Sequence, residues 1–275
     1  MPGPMHAASD ITPAPAQAAL LHELRARIAR LERRPGRARV RPLGFGLTAI
    51  DRALPEGGLA RFALHEFAGA GPEVEHGAAA TLALAGLLAR AGRGPVLWVL
   101  RRRDLFAPAL AGAGLDPDRI VYAEAGRAVL LVMEEGLRHP GLAGVVGEIE
   151  GRLTLTASRR LQLAAEASGV PGFALRRTRR FDDPALAEPN AAATRWRVAS
   201  LPSPPPLPHA ADTQGLARPR WRLDLIRCRG GEPSSWTVEA CDAQGRLALP
   251  ADIYDRSAAP GSDRPVAATA RRGAA

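Results

Sequence analysis

The residues best placed to do chemistry lie between Leu43 and Ala91, where a candidate strand, Phe62 to Ala68, opens into GAGPEVEHG (Gly69 to Gly77) and then into a run of Ala and Leu from Ala78. A strand, a glycine-rich turn and a helix in that order make the cradle in which backbone N–H groups hold the phosphates of a nucleotide. Its chemistry depends on the two side chains after the last glycine: a lysine that reaches the β- and γ-phosphates, and a Ser or Thr hydroxyl that holds Mg²⁺. Here those positions are Ala78 and Ala79. Gly69, Gly71, Gly77, Ala78 and Ala79 therefore read as a vestigial phosphate loop, and Glu73 and Glu75 within it would repel an anion at the helix start.

No lysine elsewhere can substitute. All 37 basic residues are Arg, which also excludes Schiff-base chemistry, and against 28 acids they give a net charge of +9. A basic surface favours nucleic acid or an acidic protein as partner. Three arginine groups carry that charge. Eight of the 17 residues from Arg25 to Arg41 are Arg; Arg101, Arg102 and Arg103, with Asp104, follow the apolar run VLWVL; and Arg176, Arg177, Arg179 and Arg180 open a loop that turns acidic at Asp182, Asp183 and Glu188. The second group falls where open α/β sheets place their ligand crevice and is a candidate partner-binding site, the third a candidate contact for nucleic acid or an acidic partner.

Other catalytic patterns are missing: there is no GxSxG, no HExxH and no paired carboxylates, and His65, His76 and His139 lack neighbours at nucleophile or metal-ligand spacing. On a strand His65 and Glu66 face opposite ways, so they form no dyad. Cys228 and Cys241 have no metal-ligand spacing and are expected as reduced thiols. Neither a secretory leader nor a membrane-spanning run is legible, so the chain is expected in the cytoplasm, without cofactor or metal and without enzymatic activity.

The elements that must position these groups follow from periodicity. Residues 1–14 read as a disordered leader, and 15–41 as a basic amphipathic helix and linker whose stripe, Leu21, Leu24, Ile28 and Leu31, is a candidate partner-docking face. Thr48 is placed as the cap of a short helix carrying Ile50 and Leu54. After the opening strand, loop and helix, strands are expected at Val96–Leu100, Ile120–Ala123, Leu142–Ile149 and Gly172–Arg176, separated by helices, the last of them capped by Thr154 or Thr156. That alternation predicts an α/β domain over 42–241 with a largely parallel twisted sheet and helices on both faces. Arg176 to Asn190 reads as a loop too rich in charge and proline to be core. Thr194–Ser200, Arg220–Cys228 and Trp236–Ala240 alternate and are expected as antiparallel C-terminal strands, with a proline-rich loop at 201–219 and a tail at 242–275.

The segments LGFGLTAIDRALPEGGL, VLWVLRRRDLFAPALAGAGLDPDRIVYA, LAGVVGEI and RWRLDLIR, with the glycine turn, follow the order of a RecA-like ATPase core. RRRDLFAPAL, LTASRRLQLAAEASGVP and ATRWRVAS more specifically resemble the ImuA family, over roughly residues 40 to 241. The resemblance implies a non-catalytic accessory protein of damage-induced (SOS) translesion DNA synthesis and mutagenesis. Its implied partners are a Y-family-like polymerase partner of the ImuB type and RecA, with an error-prone replicative-type polymerase engaged indirectly. It also implies kinship with SulA-type cell-division inhibitors. In the RecA pattern the activating glutamate falls within Arg101 to Arg103, and the Mg²⁺-ordering aspartate falls at Gly147, with Glu148 beside it. Arg176 to Arg180 lie where a RecA-like core carries a DNA-binding loop, and the N-terminal helix lies where RecA-like filaments join their protomers. A SulA-like inhibitor, a degenerate ATP-binding switch and a direct DNA-binding protein are the alternatives.

Overall fold

The computed structural model describes residues 41–203, 205 and 217–250. The expected leader, the helix carrying Leu21, Leu24, Ile28 and Leu31, most of the proline-rich loop and the chain beyond Pro250 lie outside the described residues. The described chain begins with α1 (Thr48–Asp51) and continues through β1 (Leu64–Gly69), α2 (Ala78–Ala89), β2 (Val96–Leu100), α3 (Ala107–Gly112) and β3 (Ile120–Glu124). Next come α4 (Val129–Leu137), β4 (Gly144–Glu150), α5 (Leu155–Ser168), β5 (Gly172–Arg177), α6 (Pro184–Ala187), β6 (Thr194–Leu201), β7 (Arg220–Cys228) and β8 (Ser234–Glu239). The eight strands form one sheet in the order β3-β2-β4-β5-β1-β6-β7-β8.

Strands β1 to β6 run parallel, so their carboxyl ends share one edge. Against the antiparallel strand expected from its alternation, β6 lies parallel to β1, and only β7 and β8 run antiparallel to their neighbours. Burial explains the difference, because β6 is covered on both faces, Trp196 and Val198 by core and Arg195 and Arg197 by ion pairs, so its alternation does not mark a solvated face. On one face Phe67, Trp98, Phe173 and Trp196 pack with α2 and α3. On the other, Val99, Val145 and Ala174 pack with Met133 of α4 and Leu161 of α5. Helix α2 is apolar nearly all round because it is buried nearly all round, against β1 on one side and the end of α3 on another.

Local signals settle the ends. Thr154 caps α5 by accepting the Ala157 N–H at 3.2 Å, and Gly169, at φ 84°, ends it in the left-handed region that glycine favours. Thr48 does not cap α1; Leu47 precedes the helix without a side-chain bond. Asp51 instead accepts the N–H groups of Phe45 (2.6 Å) and Gly46 (3.0 Å), fixing the entry from within the helix. The domain also extends past residue 241, since Ala248 bridges to Glu239 and Leu247 is buried.

Candidate functional site

The glycine turn follows β1 on the carboxyl edge of the sheet. Its residues Glu73–Gly77 form a single wide π-type turn leading into α2. None of Gly69, Gly71 and Gly77 has a positive φ. Their small size serves the loop's own packing. A Cβ at Gly69 would stand 2.9 Å from the Cβ of His76, and one at Gly77 2.7 Å from the Cγ of Glu73. His76 and Glu73 thus pack directly on the glycines of their own loop.

A guanidinium completes the filling. Arg177, at the end of β5, donates from Nη2 to Glu148 Oε1 at 2.6 Å, and its Nη1 lies 3.0 Å from Glu73 Oε1 and 3.2 Å from Thr81 Oγ1. Trp98 Nε1 donates to the same Glu148 oxygen at 3.2 Å, Thr81 donates to Gly77 O at 2.8 Å, and the Glu73 N–H donates to Thr178 O at 2.7 Å. Glu148 is 2% exposed. Two carboxylates thus share one arginine, and charge-assisted bonds of this kind are strong where water is excluded. The cleft between Gly69, Glu73, Gly77, Ala80 and Arg177 has no room for a water molecule.

The two residues at the expected metal position, Gly147 and Glu148, face opposite sides of the sheet. Gly147 faces α4, where an added Cβ would stand 2.7 Å from Met133 Sδ, so an aspartate there would neither fit nor face the loop. Glu148 is the carboxylate on the loop side, and Arg177 holds it. Among the described residues no group of three or more His, Cys, Asp or Glu side chains is arranged to hold a metal ion. Arg101, Arg102 and Arg103 do lie on the same edge, each beside an acid. Arg101 pairs with Glu150 at 2.7 Å, Arg102 with Glu150 and Asp104 at 3.2 Å each and with Glu73 at 4.0 Å, and Arg103 with Glu124.

The basic segment after β5 divides. Arg179 and Arg180 are exposed, but Arg176 and Arg177 point into opposite faces of the sheet and cannot meet a partner without breaking buried pairs. Arg176, its side chain 1% exposed, lies 3.3 Å from Glu66, which is wholly buried and also meets Arg195 and Arg197 at 3.2 Å each and the amide of Asn190. Arg195 Nε is close enough for charge but not aligned for a hydrogen bond. Three buried guanidiniums around one carboxylate need further acceptors. Carbonyls of the strap 183–190 supply them: Ala185 to Arg176 at 3.3 Å, Leu186 to Arg197 at 2.9 Å and Glu188 to Arg195 at 2.7 Å. The stretch expected to be too charged for core is therefore partly core, with Asn190 at 3% exposure. Burial pushes the Arg176 and Arg197 pKa values below the usual arginine range, with Glu66 acting against it.

Sequence reasoning missed both clusters because the partners are far apart in the chain; the one available signal was RWR at Arg195–Arg197, whose period of two puts both arginines on the face of Glu66. His65 and Glu66 do face opposite ways. His65 Nε2 donates to Ala60 O and its Nδ1 accepts from Thr194 Oγ1, both at 2.8 Å, and burial pulls its pKa down to about 4. Cys228 and Cys241 are free thiols, and burial pushes Cys241 up to about 11.

A mostly parallel sheet with helices on both faces and a loop of this form between β1 and α2 define a RecA-like fold. The crystal structure of the RadB recombinase matches with a TM-score of 0.54 at 16% identity, over 76% of this chain and 99% of that one. No protein-family model matches the chain. Protein ImuA of Caulobacter vibrioides, from strains NA1000 / CB15N and ATCC 19089 / CIP 103742 / CB 15, is 43% identical over 211 residues, 73% of this chain and 84% of the relative. The chain belongs to the ImuA family. None of its described helices is long and apolar enough to cross a membrane.

Proposed function

We propose that the chain is a non-catalytic accessory protein of damage-induced (SOS) translesion DNA synthesis and mutagenesis. It acts by binding protein partners: a Y-family-like polymerase partner of the ImuB type and RecA, and through them, indirectly, an error-prone replicative-type polymerase. Membership of the ImuA family supports the setting. The observation that carries the non-catalytic part is the Glu73–Arg177–Glu148 triple inside the glycine turn. Phosphoryl transfer needs charge neutralisation by Lys and Mg²⁺ at the phosphates. Here the lysine and hydroxyl positions are Ala78 and Ala79, and the one carboxylate that faces the loop is held by an arginine. A nucleotide would have to displace Arg177 and then sit beside two unpaired carboxylates.

The test is direct binding of the full-length chain to the purified polymerase-like partner and to RecA at low salt. Saturable binding to at least one is expected, and none to either would overturn the proposal. A second reading, direct contact with DNA, has one observation in its favour: Arg179 and Arg180 are exposed and in no ion pair among the described residues. It predicts DNA affinity that falls steeply with salt.

A further inference from the structure

The three most exposed large apolar side chains among the described residues are Val74 (98%), Phe181 (73%) and Phe106 (70%). All three stand on the carboxyl edge of the sheet, on three different connections. Val74 is in the wide turn before α2, Phe106 leads into α3 after β2, and Phe181 follows β5. The connections are tied together. The Phe181 ring lies over Gly71, where an added Cβ would be 3.5 Å from it, and Arg102, four residues before Phe106, reaches within 4.0 Å of Glu73, the neighbour of Val74. Two of the chain's six phenylalanines are thus spent in water on one edge. Side chains of this kind are the anchors of protein interfaces, where a few buried aromatic residues carry most of the affinity inside a polar rim.

We infer that this edge is a docking surface for a protein segment with apolar side chains to cover Val74, Phe106 and Phe181 and a carboxylate to meet Arg179 and Arg180. The charge pattern selects this occupant. Arg101, Arg102 and Arg103 each sit beside an acid, and Glu75, Glu124, Glu150 and Asp182 stud the same edge. A polyanion would meet a nearly neutral rim, whereas nucleic-acid binding draws on net positive charge. Arg179 and Arg180 are exposed, form no ion pair within 4.0 Å among the described residues and lie directly before Phe181, so they can meet an acidic flank. The loop that in a nucleotide enzyme would close on phosphates is here braced by Arg177 and holds Val74 outward, with Ser200 fixing its far side through Glu75 O at 3.0 Å and His76 Nδ1 at 3.2 Å.

This surface rests on the partner-binding role proposed above, and one experiment separates the two. Binding of the polymerase-like partner and of RecA is measured for the full-length protein and for the double variant Phe106→Ser/Phe181→Ser; both side chains are exposed, and Ser suits the position before a helix. The expected result is a loss of about tenfold or more in affinity for at least one partner at an unchanged melting temperature, with Arg179→Glu/Arg180→Glu weakening the same complex. Wild-type and variant binding the partners equally would overturn the surface and leave the role intact. A wild-type chain that binds neither partner would overturn both. Loss of binding to a labelled oligo-dT strand instead, or a wild-type dimer that the variant breaks into monomers, would also overturn it, assigning the edge to nucleic acid or to a second copy.

Discussion

Arg176 and Arg177 are neighbours on β5, and each lies inside a cluster of opposite composition. On the α5 side, Arg176 joins Arg195 and Arg197 around a single carboxylate, Glu66, and the excess positive charge is met by backbone carbonyls of the strap 183–190. On the α2 side, Arg177 stands alone between two carboxylates, Glu73 and Glu148. The first cluster ties β1, β5 and β6 to their strap. The second ties the glycine turn after β1 to the ends of β4 and β5. Two identical side chains, adjacent in sequence, thus hold the strap on one face and brace the glycine turn on the other, because the pleat sends them to opposite sides.

Removing the shared carboxylate of the first cluster tests the architectural half most severely. Glu66→Gln leaves three buried guanidiniums without a counter-charge and is expected to cost about 3–5 kcal/mol in denaturant unfolding. A loss under about 1 kcal/mol would mean that the carbonyls alone suffice. Next in size is a pH effect on β1, the strand that carries Glu66. The folded-state pKa of His65 is pulled down to about 4, so between there and its unfolded value near 6.5 the unfolded chain binds the extra proton. Stability from this group is fully present above about pH 6.5 and lost as pH falls towards 4, by roughly 3 kcal/mol. A His65→Gln variant should show a correspondingly shallower acid limb, and identical limbs would contradict the assignment.

Arg177→Ala should cost less, roughly 2–3 kcal/mol, because Glu73 keeps some contact with solvent. Adding Glu148→Ala should recover part of the loss, and a double-mutant cycle showing no coupling would break the picture of one triple. Smallest of all, Arg179→Ala and Arg180→Ala should change stability by under about 0.5 kcal/mol, which separates these exposed arginines from their two buried neighbours.

The strand and helix order was legible, since parallel buried strands such as Val96–Leu100 write continuous apolar runs and Thr154 and Gly169 bracket α5. That the lysine and hydroxyl positions of a phosphate loop are Ala78 and Ala79 is read directly from the chain. What the one-dimensional pattern could not carry was pairing across the fold. Nothing local distinguishes Arg177 from Arg179, yet 29 residues separate Arg177 from Glu148 and 110 separate Arg176 from Glu66. Of the pair Gly147 and Glu148, strand phase and not spacing decides that Glu148 faces the loop. The direction of β6 is hidden for a related reason: its alternation resembles that of a half-solvated antiparallel strand, whereas the alternate positions are buried arginines in ion pairs.

Titration of ATP with Mg²⁺ into the full-length protein, followed by calorimetry, tests the filled phosphate seat most directly. No saturable heat is expected for the wild-type chain at high protein concentration, because Arg177 and its two carboxylates hold the space. A saturable heat with one nucleotide bound per chain would contradict it.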